Sequence, residues 1–434
     1  MQNITNAILL PKNLKYMRKI LFSIILFFCI ANTFGQNNTG TPYSQYGIGL
    51  LQDNYGPYTA MGGVAAAMRD NNNINFLNPA SYTALDSNRF YFQLGINGEY
   101  VDIATNKDHG NYRVAQNAAL TMGLRLFKNT YASFGFNERS DIGYDLLYTQ
   151  MISGDELYKY NLHIQGEGGL NDVYFGAAHK LRNFSIGFNA AYVFGKIEKQ
   201  QTLSAQLSDS YYIRTSDKIR VNSLLFDVGL QYQFNLSQKS KLTLGSTVNF
   251  NTKLNAKKTY QSYKVNNTTG SSNTLIDEVV RRGTINYPFR IVSGFNYDYK
   301  DKWNLAGDYA YQNMSDYHEF GENQKYNDYH RASMGVSMLP ARYGRFWWQR
   351  NKYMLGTYMT RSHVELNNVK VNTYGLTIGT QMPFYIPNRE LLLGVAFDLG
   401  IRGTKQNGLI QEKYAKIRIN IAFKEGWFMK RKID

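Results

Sequence analysis

The residues whose types could do chemistry are scattered along this chain. The six histidines, His109, His163, His179, His318, His330 and His363, include no i,i+4 pair, and no carboxylate pattern around them suggests zinc. His318-Glu319 falls in a polar connection and reads as solvated. Serine and histidine both occur in strand-like stretches, as a membrane-embedded lipid hydrolase would need, but nothing marks the third, orienting residue of such a trio. Gly47-Ile48-Gly49 lacks the following lysine and the strand-to-helix context of a phosphate loop, so it reads as turns. Cys29 is the single cysteine, and it lies in an apolar N-terminal run. Beyond that run no disulfide, thiolate metal site or cysteine nucleophile is available. The sequence therefore predicts no enzyme, metal or cofactor. What remains is electrostatic: Glu99, Arg125, Asp227, Arg290, Asp298, Asp308, Asp398 and Arg402 all sit on the polar face of alternating segments. They either brace an interior by pairing with one another or line a path for a polar or amphipathic solute.

The elements that must position these charges are strands. From residue 89 onward one face is apolar and the other small or polar, with a period of two. Phe90, Phe92, Leu94 and Ile96 alternate with Tyr91, Gln93, Gly95 and Asn97. Phe184 to Phe194, Leu224 to Phe234, Leu391 to Arg402 and Lys416 to Lys424 repeat the pattern. Aromatic residues favour pleated surfaces and glycines weaken helices, so the 35 Tyr, 25 Phe and 37 Gly point away from a helical bundle. Runs of ten or more residues exceed ordinary globular strands, whereas a tilted membrane-crossing strand needs about nine to eleven. Connections alternate between short ones, such as 128–130 and 182–183, and longer polar ones, such as 102–112 and 261–275. Short periplasmic turns and longer outer loops produce that rhythm. The prediction is an all-β, transmembrane antiparallel β-barrel of about 14 strands over residues 89–424, in the outer membrane of a Gram-negative bacterium. An even count returns the C-terminus to the side where the first strand began. Trp303, Trp347, Trp348 and Trp427 then all fall at the periplasmic end, as an interface girdle.

Two flanking segments are not strand-like. Lys12, Lys15, Arg18 and Lys19 precede an apolar run, Ile20 to Ile30, too short to span a bilayer as a helix. Residues 1–35 are thus predicted to be a signal peptide, with Met17 as the more ordinary start. Their removal takes away four cations and no acid, lowering the formal charge from +16 to +12 (16 minus 4). On an exported chain that excess suits lipid phosphates rather than nucleic acid. At the other end, residues 425–434 form a basic periplasmic tail that includes Lys430-Arg431-Lys432. Residues 36–88 are rich in small residues and amides: Ala60-Met61-Gly62-Gly63-Val64-Ala65-Ala66-Ala67, then Phe76-Leu77-Asn78-Pro79-Ala80. Such a stretch packs closely and satisfies its backbone with amide side chains, as an N-terminal hatch or plug in a lumen would.

The order of a signal peptide, Tyr43-Ser44-Gln45-Tyr46-Gly47-Ile48-Gly49, the Ala-Met-Gly-Gly-Val-Ala stretch, Asn78-Pro79-Ala80 and about fourteen alternating strands resembles the long-chain fatty-acid transporter (FadL-like) family, in particular its Bacteroidota-type members. The resemblance covers nearly all of the mature chain, and its specific part spans roughly residues 43–82. It implies that Gly62, Gly63, Phe76, Asn78, Pro79 and Ala80 belong to a hatch closing the barrel. It also implies passive uptake of a small hydrophobic or amphipathic compound, with outer-membrane lipids and lipopolysaccharide as surroundings. The alternative is a non-transporting barrel that acts as a subunit or adaptor of a larger outer-membrane secretion or assembly complex, with other outer-membrane proteins as partners. A conspicuous apolar cavity joined to a gap in the wall would favour transport, and a filled lumen with an extra flat protein-facing surface would favour the adaptor.

Overall fold

The computed structural model describes residues 40–51, 56–152, 155–205, 211–386 and 389–427. The predicted signal peptide and the Lys430-Arg431-Lys432 tail lie outside the described residues. Fourteen wall strands follow one another in antiparallel order: β1 Arg89–Ala104, β2 His109–Phe127, β3 Thr130–Ile152, β4 Asp155–Leu181, β5 Phe184–Ala205, β6 Tyr211–Ser237, β7 Ser240–Asn249 continued by Thr252–Asn266, β8 Ser272–Tyr287 continued by Arg290–Tyr299, β9 Trp303–Gln312, β10 Tyr329–Met338, β11 Lys352–Leu366, β12 Val369–Ile386, β13 Arg389–Gly403 and β14 Gln411–Gly426. The last strand pairs with the first, Gln411 opposite Ala104 through Gly426 opposite Arg89. This pairing closes the barrel.

The short connections are tight because their residues accept left-handed backbone. Asn129, Arg182, Lys300, Asp301, Asn367 and Asn368 all have φ between +50° and +63°. A two-residue turn with φ above zero matches the twist of the strands it joins. The apolar face of the alternation points outward: Phe188, Phe226, Leu399 and Phe397 are each about half exposed around the wall. In water such a surface would be a liability; against lipid it is the expected face. At about 3.4 Å per residue and a tilt near 40°, the ten residues of β9 or of β10 span about 26 Å of height, close to the apolar band of outer-membrane barrels.

The wall is uneven. β4 and β6 each run for 27 residues, well past that band, while β9 stops at Gln312. β7 and β8 are both interrupted at one level, at Phe250-Asn251 and at Pro288-Phe289. Proline supplies no N–H to the ladder, which accounts for the break in β8. Beyond it, β8 pairs only with β7, apart from a single contact of Ile285 with Glu319. The polar connection that holds His318-Glu319 differs from the solvated loop expected from sequence. Met314, Tyr317 and Phe320 turn inward and are buried, and His318-Glu319 pairs with Glu322-Asn323 in a two-residue ladder.

The N-terminal segment runs through the inside of this wall. Its short 3₁₀ turns are Pro42–Gln45, Gly56–Met61 and Pro79–Ala84. Leu50–Leu51 pairs with Ser140 and Asp141 of β3. The Gly56–Met61 turn packs on β10 to β14 and the Pro79–Ala84 turn on β3 to β6, opposite sides of the barrel. Ala60, Met61, Val64, Ala80 and Tyr82 have no measurable exposure.

Candidate functional site

The site is the lumen and what fills it. Inward-facing glycines of the wall act as seats for the N-terminal segment. A Cβ on Gly356 would lie 2.2 Å from the Gly62 nitrogen, and one on Gly335 would lie 2.5 Å from the Met61 carbonyl oxygen. On the far side, a Cβ on Gly187 would lie 2.5 Å from the Pro79 carbonyl carbon, one on Gly229 would lie 2.1 Å from Asn78 Oδ1, and one on Gly245 would lie 2.0 Å from the Ala66 oxygen. The small residues of the segment and the glycines of the wall thus fit each other on both sides. Sequence reading noticed the first set only.

Of the six hatch residues expected from sequence, Gly62 donates its N–H to Thr377 Oγ1 at 2.8 Å and accepts from Arg331 at 3.0 Å. Its φ is +72°, and a Cβ there would meet the Thr357 oxygen at 2.6 Å, so glycine is required for both reasons. Gly63 borders an interior cavity. Phe76 lies 5.9 Å from the ring of Tyr174, and its carbonyl accepts from Asn189 at 3.0 Å. Asn78 caps the Pro79–Ala84 turn by accepting the Ala80 N–H at 3.0 Å, and its amide donates to the Ala66 oxygen at 2.5 Å. Pro79 takes the first position of that turn, where no N–H is needed, and Ala80 is fully buried.

The eight charges expected on the polar face lie as follows. Asp308 Oδ2 accepts the N–H groups of Ala65 and Ala66 at 2.5 and 2.8 Å, which ties β9 to the segment. Asp227 stands 3.8 Å from Arg139 and accepts from Asn249. Arg290 borders the same cavity as Asp227 and Asp308. Asp398 lies 3.6 Å from Arg418 and accepts from Tyr358 at 2.8 Å. Arg402 pairs with Glu412 at 2.7 Å, and Glu99 with Lys416 at 2.8 Å. Arg125 is opposite Tyr131 near the short turns, and Asp298 accepts the Asp301 N–H at 3.1 Å in the turn after β8. Periodicity did not single out the partners: Arg139, which holds Asp172 at 2.6 Å, Arg331, which stacks 4.0 Å over Tyr358, and Lys424. Lys424 reaches Asn72 at 2.7 Å, Asp86 at 3.4 Å and Glu390 at 2.8 Å, so it joins segment and wall. Lys352 and Asp70 make a second such link at 3.8 Å. Arg69 is half-buried among Thr83, Ser185 and Gln231, with hydrogen bonds of 2.8 to 3.2 Å. Burial pulls its guanidinium down to about 10, against the opposing pull of Tyr131, so it stays protonated at neutral pH.

Two interior cavities have volumes of about 110 and 120 Å³. The first is bordered by Arg139, Asp172, Asp227, Arg290 and Asp308, and the second by Glu99, Arg331, Asp398, Arg402 and Lys416. Each holds only a few waters' worth of space between charges. The four tryptophans share one end of the barrel. Trp303 opens β9, Trp347 and Trp348 lie in the connection before β11, and Trp427 follows β14, stacked 4.6 Å from Phe90.

Among solved structures, the same barrel fold is found in several hydrocarbon channels and transporters, to which this chain is similar. CymD, a monoaromatic hydrocarbon channel, aligns with a TM-score of 0.55 at 15% identity, over 87% of this chain and 99% of its own. The P. putida toluene transporter TodX gives 0.57 at 15% identity, over 87% and 100%. A Pseudomonas aeruginosa FadL homologue gives 0.58 at 11% identity, over 91% and 99%. At these identities the likeness is one of fold, and the expected kinship with FadL-like proteins holds at that level. No curated protein sequence matches. A family model does match, over residues 16–434, and it is a different one from the FadL-like family expected from sequence: the chain belongs to the BamG family.

Proposed function

We propose that this chain is an outer-membrane barrel shut by its own N-terminal segment, and that it serves as a structural subunit of a larger outer-membrane assembly. The observation that carries this reading is the filled, charged lumen: cavities of about 110 and 120 Å³ between ion pairs offer an apolar solute no path. Moving a hydrophobic compound past Arg139, Asp172 and Asp227 would strip solvent and partners from buried charges, a cost of several kcal/mol per ion. A barrel stiffened from within suits a scaffold.

A second reading, passive uptake of a small hydrophobic or amphipathic compound, is favoured by a separate observation. The solved barrels of this fold include a monoaromatic hydrocarbon channel and a toluene transporter. On that reading the N-terminal segment is a hatch that must shift before anything passes.

Gentle purification from membranes, followed by identification of bound proteins and lipids, separates the two when combined with uptake of toluene into proteoliposomes. A stoichiometric protein partner with no uptake above empty vesicles is the expected result. Saturable toluene uptake by the chain alone would overturn the scaffold reading and establish the second.

A further inference from the structure

The wall carries an external feature that neither reading uses. On the outward face of β10 to β14 a concavity of about 720 Å³ is bordered by Met334, Met359, Tyr374, Leu376, Leu399 and Ile401. Its floor is thin because Gly375 and Gly400 place no side chain there, and the rings of Tyr358 and Tyr414 cover those glycines from within. The outward residues below it, such as Leu355, Ile378, Phe397 and Ile417, are apolar and exposed, so the concavity opens onto the bilayer-facing band. It lies toward the end of the wall away from the four tryptophans, the end at which Asn367-Asn368 joins β11 to β12.

At its upper rim the outward series changes sign. On β11 the sequence Leu355, Thr357, Met359 ends in Arg361, and on β14 the sequence Ile417, Ala415 ends in Lys413, which borders the concavity. Both cations are exposed, and neither has an ion pair or a side-chain hydrogen bond among the described residues. Asp102 stands opposite Lys413 across the β14–β1 pair, and His330 and Asn372 flank Arg361. Three strand spacings separate β11 from β14, about 14 Å. Two cations without ion pairs above an apolar groove are complementary to a lipid that carries acyl chains below and phosphate above.

We infer that this groove is a binding site for a phosphorylated glycolipid of the outer leaflet, of the lipid A type, with acyl chain seated against Met334, Leu376 and Leu399. A disaccharide headgroup phosphorylated at both ends can reach Arg361 and Lys413 together, whereas a phospholipid with one phosphate engages one of them at a time. The inference rests on the outer-membrane placement proposed above and is independent of whether the barrel is a scaffold or a channel.

The test is native mass spectrometry of the full chain in detergent, titrated with lipid A or with phosphatidylglycerol. Wild type, Arg361→Ala, Lys413→Ala and the double variant are compared, with a groove-filling Thr357→Trp as a second approach. Each single cation variant should weaken lipid A binding about fivefold and the double variant about 25-fold, from the usual contribution of a basic residue at a lipid surface. Phosphatidylglycerol should bind wild type more weakly than lipid A. Unchanged lipid A binding in the double variant and in Thr357→Trp, or a preference for phosphatidylglycerol, would overturn the site. Insertion into liposomes, read separately by heat-shifted gel mobility, tests the membrane placement itself, and failure there would overturn both.

Discussion

The wall glycines that seat the N-terminal segment, Gly187, Gly229, Gly245, Gly335 and Gly356, are the clearest residue-scale device in the molecule, because the segment lies directly against each. Gly356→Ala would place a methyl 2.2 Å from the Gly62 nitrogen, and the backbone of two elements would have to yield. Overpacking of that kind costs about 1–3 kcal/mol. The expected outcome is a lower unfolding midpoint in detergent and faster proteolysis within residues 56–86. Gly110 has nothing within 4 Å of its would-be Cβ, so Gly110→Ala should leave both readouts within error, and equal effects of the two changes would refute the seat argument. Asn78 offers a second test. Asn78→Ala removes the cap on Ala80 and the amide bond to the Ala66 oxygen, both buried. A loss of about 1–2 kcal/mol is expected from the cap alone, and Asn78→Asp, which keeps the cap acceptor but not the amide donor, should recover only part of it.

At the scale of elements, β8 stands out for its unpaired edge. From Ser272 to Gly283 it has β7 on one side and, past the contact of Ile285, nothing laddered on the other. Leu275, Ile276, Val279 and Val280 are exposed along it, interspersed with Asp277, Glu278, Arg281 and Arg282. Charges on an open edge discourage pairing with another chain. Replacing those four charged residues with threonine should produce concentration-dependent association of the purified protein by light scattering, and a monodisperse variant would show that the edge needs no such guard. The 313–328 connection is held by Asp328, which accepts the Ser315 N–H at 3.2 Å and the Tyr311 hydroxyl at 2.9 Å. Burial acts to raise its pKa, but the hydrogen bonds from Ser315 and Tyr311 outweigh it and bring it below the usual value. A carboxyl depressed in the folded state stabilises above its unfolded pKa of about 3.9 and loses that contribution as pH falls through the lower folded value. Protection of the connection from pepsin should therefore collapse only below about pH 4 in wild type, and Asp328→Asn should lack this step. The strand count was legible in the sequence because the alternation is strict where one face meets lipid. The outer ends of β7 and β8 were placed less well, because they run to Asn266 and from Ser272 inside the connection expected at 261–275; above the bilayer both faces meet water or the inner core and the period of two loses its contrast. Met314, Tyr317 and Phe320 were missed for a related reason: three inward apolar residues at irregular spacing within a polar stretch carry no periodic signal.

For the molecule as a whole, the question is whether the barrel stands without its filling. The wall closes through its own ladder, β14 to β1, and each strand is paired along its bilayer-crossing part without help from residues 40–86. The segment contributes apolar core on both sides, the bonds of Asp308 to Ala65 and Ala66, and the links of Asp70 to Lys352 and Asp86 to Lys424. Removing it would leave the inward charges facing an empty, wet lumen, which solvates them at little cost, while the outer lipid-facing surface is unchanged. Deletion of residues 37–86 is therefore expected to yield a folded barrel, heat-modifiable on gels but with a lower unfolding midpoint, that conducts ions steadily in planar bilayers, whereas the intact chain stays closed. The double change Asp70→Asn and Asp86→Asn loosens only the two ionic links, and it should give intermittent openings between closed periods. If the deleted chain inserted and remained non-conducting, the lumen would be filled by the wall itself, and residues 40–86 would have to be credited with some task other than closure.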